Sequence, residues 1–489
     1  MSCATGSGHG PAVVRSLVPA RMDRLPWSPF HTRLVVALGV TWVLDGLEIT
    51  LASLIGPVLQ SERTLHLTSV QIGTTASVYL VGEVAGALFF GHLADRLGRR
   101  RLFLATLALY LTANGLTALS FGYASLLVFR FLAGAGIGGE YAAINSAIDE
   151  LIPARWRGHT DLAINGTYWL GALIGALAER VLLDPDVLPI DVGWRIGLLV
   201  GPLIGVGIWA MRRALPESPR WLLMRGRADE AERTVDAIER EVAARGYALP
   251  PVDPSRAIAV RATGPMGYGT LAALLVRRYP SRTVLGLALM STQSFLYNAI
   301  FFTYGLVLTH FYDVAPSHVP TYFYAFAAGN LLGPLTLGRF FDTIGRRQMI
   351  SATYALSGIL LGISGWLFSA GALTATTQAA CWSLTFFVGS AAASSAYLTV
   401  SEIFPLEVRS QALALFFAVA QIVGAAGPVV FGSLIGDREH PDATRLLAGY
   451  ALAAAMMIGG AVAGAVFGVR AERTALEDVA TPLSAASDG

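Results

Sequence analysis

The sequence predicts an all-α membrane protein with twelve transmembrane helices in two pseudo-symmetric six-helix bundles. Hydrophobic residues make up 54% of the 489 residues and charged residues only 14%, which differs strongly from a soluble domain. Twelve apolar runs are long enough to cross a bilayer, which takes about 20 residues. Two motifs also occur once in each half of the chain, which indicates an internal repeat. This composition excludes a disordered chain, a disulfide scaffold and a soluble enzyme.

The apolar runs divide the chain into two bundles with polar segments around them. The first bundle is predicted at 34–212, with runs near 34–59, 70–94, 102–120, 125–149, 160–183 and 194–212. The second is predicted at 282–470, with runs near 282–311, 319–341, 349–369, 375–400, 410–435 and 443–469. Residues 1–33 and 471–489 are predicted as cytoplasmic tails, and 213–281 as a cytoplasmic connector with short helices and a loose linker over 246–268.

Arginine is concentrated in alternate loops, which gives the orientation. The loops after the even-numbered runs contain clusters such as DRLGRRR at 95–101, and the opposite loops contain few bases. Basic loops face the cytoplasm, so we expect both termini on the cytoplasmic side of a cell inner membrane. The net charge of +2 predicts no nucleic-acid partner, and the two cysteines, Cys3 and Cys381, indicate neither a disulfide nor a metal site.

The internal repeat consists of two acid–arginine motifs. GHLADRLGRR and GRFFDTIGRR each follow the second run of their half, and ELIPARWR and EIFPLEVR each follow the fourth. Their acids can cap helices or pair with arginines, and we predict that they set the balance between open and closed cytoplasmic gates. The predicted gating residues are Asp95, Arg99, Glu150, Arg157, Asp342, Arg346, Glu402 and Arg409. A repeat of this kind places a binding site between the halves near the membrane midplane.

Together with RFLAGAGIGGE at 130–140, PESPRWL at 216–222 and SEIFP at 401–405, these motifs resemble the major facilitator superfamily, especially its sugar-porter and metabolite–proton symporter branches. The resemblance spans all twelve runs. It implies that two bundles rock around a central site, that transport is often coupled to a proton, and that a monomer suffices.

The resemblance is incomplete at the positions that would bind a sugar. The helix-7 pattern keeps Gln293 and Asn298, but Leu296 replaces its glycine. Tyr397 stands where a sugar porter has tryptophan, and Asn165 where glutamine is usual. These departures argue against a hexose.

Acidic residues inside the apolar runs are the main candidates for proton coupling. Asp45 and Glu48 are three residues apart and share one helical face. A carboxylate in the membrane is costly and marks a relay or pathway; the alternative is a structural ion pair or a helix end in water. The resemblance implies that Arg130 is the helix-4 partner of Asp45. Glu140 is either a second proton site or a polar contact, and Glu83 is interpreted as a packing or gating residue.

Polar side chains with little charge around them are the candidates for solute binding. The predicted residues are Asn165, Tyr168, Gln293, Tyr297, Asn298 and Tyr397. The alternative for each is a hydrogen bond between helices.

These features together favour a transporter without a cofactor. No phosphate-binding loop, metal motif or nucleophile–base constellation occurs in the sequence, which argues against an ATP-driven pump and an enzyme. The leading hypothesis is a secondary active transporter that works by alternating access, with proton-coupled symport of a small carboxylate or sugar-like metabolite. The alternatives are a proton-independent facilitator or exporter, and a solute sensor that transports nothing.

Overall fold

The chain is almost entirely helical in its computed structural model, which describes residues 13–59, 61–67, 69–182, 187–213, 215–261, 266–314, 318–435, 443–481 and 483. The first half contains β1 (Val13–Ser16), α1 (Val18–Asp23), α2 (Pro29–Leu54), α3 (Gly56–Leu59), α4 (Ser69–Leu97), α5 (Arg99–Ala118), α6 (Tyr123–Leu151), α7 (Ala154–Leu182) and α8 (Ile190–Arg213). The rest contains α9 (Pro219–Met224), α10 (Ala228–Ala244), β2 (Ile258–Arg261), α11 (Tyr268–Arg278), α12 (Pro280–Phe311), α13 (Val319–Thr343), α14 (Arg346–Ser369), α15 (Ala375–Ile403), α16 (Arg409–Ile435), α17 (Ala443–Phe467) and α18 (Leu476–Val479).

Twelve of the helices in the described ranges correspond to the twelve predicted runs. They are α2, α4 to α8 and α12 to α17, and eight of them have the length and composition to cross a membrane by themselves. The all-α membrane fold predicted from the apolar runs is therefore confirmed. The first transmembrane helix begins at Pro29, several residues before the predicted 34, because Ser28 caps it and proline is well placed at a first helical position.

The helices form two bundles of six that meet along two seams. In the first bundle α4 packs on α6 and α2 on α7; in the second α12 packs on α16 and α14 on α17. Close approach between α4 and α6 depends on small residues, because a Cβ atom at Gly138 would lie 2.0 Å from the Glu83 carbonyl oxygen. Between the bundles, α7 packs on α13 and α4 on α16.

The amino-terminal segment is more ordered than a polar tail. Strand β1 pairs antiparallel with β2, which lies within the predicted loose linker 246–268. Helix α1 packs on the amphipathic helix α10, and Arg21 forms a salt bridge of 2.6 Å with Glu239. The prediction of a loose linker is wrong for β2, because its four residues pair with β1. Leu249, earlier in the same linker, packs against the buried cluster that contains Val18.

The segment after α17 also contains ordered structure, where the sequence indicates only a polar tail. Helix α18 buries Leu476 and Val479 and places Glu477 2.9 Å from Arg220 of α9. Arg220 also contacts Asp23 at 2.9 Å, so both ends of the described chain meet at one side of the bundles. We call this side, which carries α1, α10 and α18, the terminal face, and the other side the opposite face.

Candidate functional site

A cavity of about 430 Å³ lies between the two bundles at mid-depth. Its wall includes Leu59 at the end of α3 and Leu126 near the start of α6, so it extends toward the opposite face. All six predicted solute-binding residues, Asn165, Tyr168, Gln293, Tyr297, Asn298 and Tyr397, line it. A volume of this size is typical of a site for a small molecule.

Aromatic rings form much of the cavity wall, and sequence reasoning missed most of them. Tyr141 of α6 stacks on Phe417 of α16 across the bundle boundary, with 4.8 Å between ring centroids. Trp169 of α7 lies 5.9 Å from the ring of Tyr297. Trp42 contacts Tyr141 edge-on at 4.2 Å. Flat faces of this kind favour a planar, apolar part of a ligand.

Several of the predicted solute-binding residues also make hydrogen bonds within the protein. The Tyr297 hydroxyl donates to Asn330 Oδ1 at 2.7 Å, which joins α12 to α13. The Asn165 amide donates to the Asp161 carbonyl of its own helix at 2.9 Å. The alternative of a hydrogen bond between helices therefore applies to Tyr297, whereas the bond of Asn165 stays within α7. Both side chains also face the cavity.

Asp45 lies directly behind the cavity wall. Its carboxylate is fully buried and accepts hydrogen bonds from the Tyr79 hydroxyl at 3.2 Å and the Tyr141 hydroxyl at 3.0 Å. Both tyrosines line the cavity, so a ligand that contacts them can affect the hydrogen bonds of Asp45. Glu48 is one turn further on and lies outside this wall, beside α8: a Cβ atom at Gly201 would be 1.9 Å from its Oε1 atom.

Arg130 faces the cavity and forms no salt bridge with a carboxylate of the described residues. Its guanidinium carbon lies 4.3 Å above the ring centroid of Tyr79. Among the described residues none forms a salt bridge with it, so the predicted pairing with Asp45 is not a direct contact in this conformation. Of the described residues that line the cavity, Arg130 is the only base and Glu83 the only acid.

Glu140 points away from the cavity and anchors four helices. It accepts hydrogen bonds from Arg212 at 2.6 Å and from Thr106 at 2.5 Å. Arg212 of α8 also donates to the Ala37 carbonyl at 3.2 Å and to Thr41, so the group joins α2, α5, α6 and α8. This geometry matches the polar contact, the second of the two roles considered for Glu140. Arg212 was missed because it looked like an ordinary basic helix end.

The terminal face is closed by an ionic cluster that spans both bundles. Glu402 of α15 accepts hydrogen bonds from Arg346 at 2.9 and 3.0 Å and from Arg157 of α7 at 3.5 Å. Arg346 also pairs with Asp342 at 2.8 Å, and Asp342 accepts from the His159 backbone N–H of the other bundle at 2.7 Å. Residues of the repeat motifs of both halves therefore meet in one ionic cluster between the bundles.

The other predicted gating residues have different surroundings. The Glu150 carbonyl accepts a hydrogen bond from Arg220 at 2.7 Å, and Arg409 donates to the Phe404 carbonyl at 3.3 Å. The cross-bundle contact of Arg157 is thus with Glu402 of the second motif. The side chains of Asp95 and Arg99 lie outside the described part of the structure.

Outside the membrane, charge pairs attach α18 to the connector. Burial disfavours the charged form of Glu477, but the adjacent Arg220 guanidinium outweighs this and holds the pKa of Glu477 below its ordinary value. Burial alone would lower the pKa of Arg220, but the adjacent carboxylates of Glu477 and Asp23 outweigh this and raise it. The pair of Glu477 and Arg220 is therefore charged at neutral pH.

Two bundles of six helices around a central cavity define a transporter of the major facilitator superfamily, a class that comprises transporters and not enzymes. The profile described as "Sugar (and other) transporter" matches residues 48–475, and the chain belongs to this family. The expectation drawn from the motifs is thereby confirmed.

Curated relatives and solved structures agree on the class and differ in solute. The chain is 27% identical to the niacin transporter NiaP of Acinetobacter baylyi over 84% of this chain and 89% of that protein. It is 26% identical to polyol transporter 5 of Arabidopsis thaliana over 86% and 80%. The fold matches the proton:xylose symporter XylE bound to 6-bromo-6-deoxy-D-glucose with a TM-score of 0.74, 18% identity, and coverage of 92% and 98%.

Proposed function

We propose that this protein is a proton-coupled symporter that imports a small aromatic carboxylate by alternating access. The observation that carries the proposal is Arg130, a base without a salt-bridge partner among the described residues, in a cavity walled by aromatic rings. A guanidinium binds a carboxylate through charge-assisted hydrogen bonds. Tyr141 and Phe417 offer flat surfaces to the ring of such a solute. The similarity to a niacin transporter supports the same chemistry.

Asp45 is proposed to carry the proton. An ionised carboxylate without a cation is costly in a buried site, so Asp45 gains most from protonation when a second negative charge arrives nearby. A carboxylate solute on Arg130 provides that charge, because Tyr79 contacts both Arg130 and Asp45. Glu48 is proposed as a further acid of the same helix face, and Glu140 as an anchor.

The conformation indicates which face of the proposed carrier is open. The ionic cluster of Glu402 closes the terminal face while the cavity extends toward the opposite face. With both termini in the cytoplasm of a cell inner membrane, as the arginine distribution predicts, this is the outward-facing state of a monomeric importer. The bundle limits 34–212 and 282–470 remain predictions from the apolar runs; the helices that begin the two bundles start a few residues earlier, at Pro29 and Pro280.

A polyol or sugar is the second candidate solute. Gln293 and Asn298 line the second-bundle wall and offer amide groups of the kind that bind hydroxyls, and one relative is a polyol transporter. A neutral solute of this kind has no carboxylate for Arg130 to bind, so proton coupling would not depend on an anion at Arg130.

The test is counterflow uptake in proteoliposomes loaded with an unlabelled solute. The probes are niacin, benzoate, the neutral amide nicotinamide, xylose and sorbitol. We expect labelled niacin or benzoate to exchange and nicotinamide to exchange poorly. If only sorbitol or xylose exchanged, the solute would be a polyhydroxy compound and the proposal of a carboxylate would be wrong. Equal exchange of niacin and nicotinamide would contradict the role of Arg130.

A further inference from the structure

A hydrogen bond at mid-depth joins the two bundles across the cavity. The Gln421 amide of α16 donates to Glu83 Oε2 of α4 at 3.2 Å. The Glu83 side chain is 2% exposed, and both residues line the cavity. Nearer the terminal face, the same seam between α4 and α16 is joined by a hydrogen bond between His92 and Gln411.

The bond continues into the solute-binding wall of the second bundle. Gln421 Oε1 accepts from the Ser294 hydroxyl at 2.9 Å, and Ser294 Oγ accepts from the Asn298 amide at 3.4 Å. The close approach of α16 to α12 requires glycine at 424, since a Cβ atom there would lie 2.2 Å from Ser294 Oγ and 2.4 Å from Asn298 Nδ2. An unbroken series of hydrogen bonds therefore runs from Asn298 to Glu83.

The same face of α4 also contacts the proposed proton site. Tyr79, one turn before Glu83, donates its hydroxyl to Asp45. Helix α4 thus connects to the second bundle through Glu83 and to Asp45 through Tyr79. A displacement of α4 along the seam changes the surroundings of both acids together.

We propose that Glu83 is a positioning residue that lets the first bundle sense a solute bound to the second. In the empty carrier its hydrogen bond to Gln421 holds the α4–α16 seam closed. A solute that bonds to Ser294 or Asn298 withdraws the Ser294 hydroxyl from Gln421 Oε1. The Gln421 side chain then reorients, its Nε2 leaves Glu83, and the seam is released toward the terminal face. The claim that this hydrogen bond holds the seam closed requires only that the protein works by alternating access. The claim that Glu83 senses the solute rests on the proposed function.

The energetic argument concerns a buried charge. With Gln421 withdrawn, the Glu83 carboxylate loses its donor in a site with little access to water, and this is unfavourable until the seam opens and water enters. Removal of either partner therefore lowers the stability of the closed state relative to the open state. A hydrogen bond to a charged group is strong enough to change the open-to-closed ratio by about tenfold or more.

The experiment measures the distance between spin labels on the terminal face of the full chain in lipid nanodiscs. Labels at Arg101→Cys of the first bundle and Gln348→Cys of the second, both exposed positions, report opening, with Cys3 and Cys381 replaced by serine. Without solute we expect Glu83→Ala and Gln421→Ala each to raise the long-distance population about tenfold. The double variant should add nothing further. Glu83→Gln keeps a polar partner for Gln421 but removes the charge, so its effect should be smaller than that of Glu83→Ala.

Gln378→Ala is the matched control. Gln378 is a buried glutamine whose hydrogen bonds, to Ser364 and Tyr312, stay within the second bundle. This variant should keep the wild-type distances. Wild-type distances in both Glu83→Ala and Gln421→Ala would overturn the proposal, as would additive effects in the double variant or a wild-type protein that shows only the long distance.

Addition of niacin separates this inference from the proposed function. We expect niacin to raise the long-distance population in the wild type and to have little effect in Gln421→Ala. A response of the wild type that Gln421→Ala retains in full would overturn the sensing role. A tenfold effect of Glu83→Ala without any response to niacin would support the closed seam and overturn the proposed solute.

Discussion

The Tyr141 hydroxyl donates a hydrogen bond of 3.0 Å to Asp45, while the ring of Tyr141 stacks on Phe417 of the other bundle. One side chain therefore contacts the proposed proton carrier, the cavity and the partner bundle. A solute that packs against this ring shifts the donor of Asp45 when it binds. This arrangement offers a short physical path from solute binding to the protonation of Asp45.

The charge of Arg130 should select carboxylates over neutral solutes. We expect Arg130→Gln to weaken niacin binding about 100-fold, the loss of about 2–3 kcal/mol that a charge-assisted hydrogen bond contributes. Nicotinamide binding should change little, and isothermal titration of the purified protein measures both. Arg195→Gln is the control, because Arg195 lies 4.3 Å above the Trp194 ring but does not line the cavity. An equal loss for niacin and nicotinamide would contradict an electrostatic role.

The Glu140–Arg212 pair should matter for stability and not for coupling. Glu140→Gln leaves Arg212, whose side chain is fully buried, without its acid. Breaking one partner of a buried pair costs about 3–5 kcal/mol, so the variant should unfold at a clearly lower temperature in a thermal-shift assay. The number of protons moved per solute should stay the same.

A matched control for Glu140→Gln is Glu241→Gln. Glu241 pairs with Arg33 near the surface, and exposed pairs contribute at most about 1 kcal/mol. A Glu140→Gln variant with a normal unfolding temperature but lost proton movement would restore Glu140 as a proton site.

Glu402 should hold the terminal face shut. Glu402→Gln removes the charge that Arg346 and Arg157 share, and we expect the gate to open more often. Leu162→Cys reports this, because Leu162 is buried and packs on Gly338 of the other bundle. A water-soluble maleimide added from the terminal face should alkylate this cysteine about tenfold faster, which corresponds to about 1.4 kcal/mol.

Asp229→Asn on the exposed face of α10 is the control for this gate. It should leave the alkylation rate unchanged. The role of Glu402 in closure would be refuted by an alkylation rate that Glu402→Gln leaves at the wild-type value.

The stability that the attachment of α18 contributes should decrease as the pH falls. Because the pKa of Glu477 is lowered in the folded protein, its contribution to stability is complete above its ordinary value of 4.5 and is lost as the pH falls through the lowered pKa. We expect wild type to melt about 2–4 °C above Glu477→Gln at pH 7, as about 1 kcal/mol implies for a domain of roughly 200 residues. The difference should shrink in acid below about pH 4.5. A difference that grows on acidification would have the wrong sign for this pair.

The sequence predicts the scaffold well because the bilayer imposes a simple rule on it. Every transmembrane helix must be apolar over a fixed length, so the runs are visible without knowledge of packing. Asp45 and Arg130 are visible for the same reason, since a charge inside such a run is costly and needs an explanation. The predicted cavity residues Gln293 and Asn298 also line the cavity.

Other parts of the site have no such signal. Aromatic residues such as Tyr141 and Phe417 are ordinary in membrane helices, and only packing across two bundles brings them together. The pairing of β1 with β2 joins segments far apart in the chain through four residues each, too little for a local pattern. Arg212 ends a helix where basic residues are common, and its buried partner Glu140 is distant in sequence.

The most direct test of the account is proton movement driven by solute in proteoliposomes with an external pH electrode. An aromatic carboxylate such as niacin should make the medium more alkaline with the wild-type protein. Asp45→Asn should abolish this alkalinisation and retain counterflow exchange of labelled solute, because its amide keeps the volume of the side chain but cannot take up and release a proton. Entry of labelled solute at constant pH in the wild type, or an undiminished alkalinisation with Asp45→Asn, would contradict the assignment of Asp45 as the proton carrier.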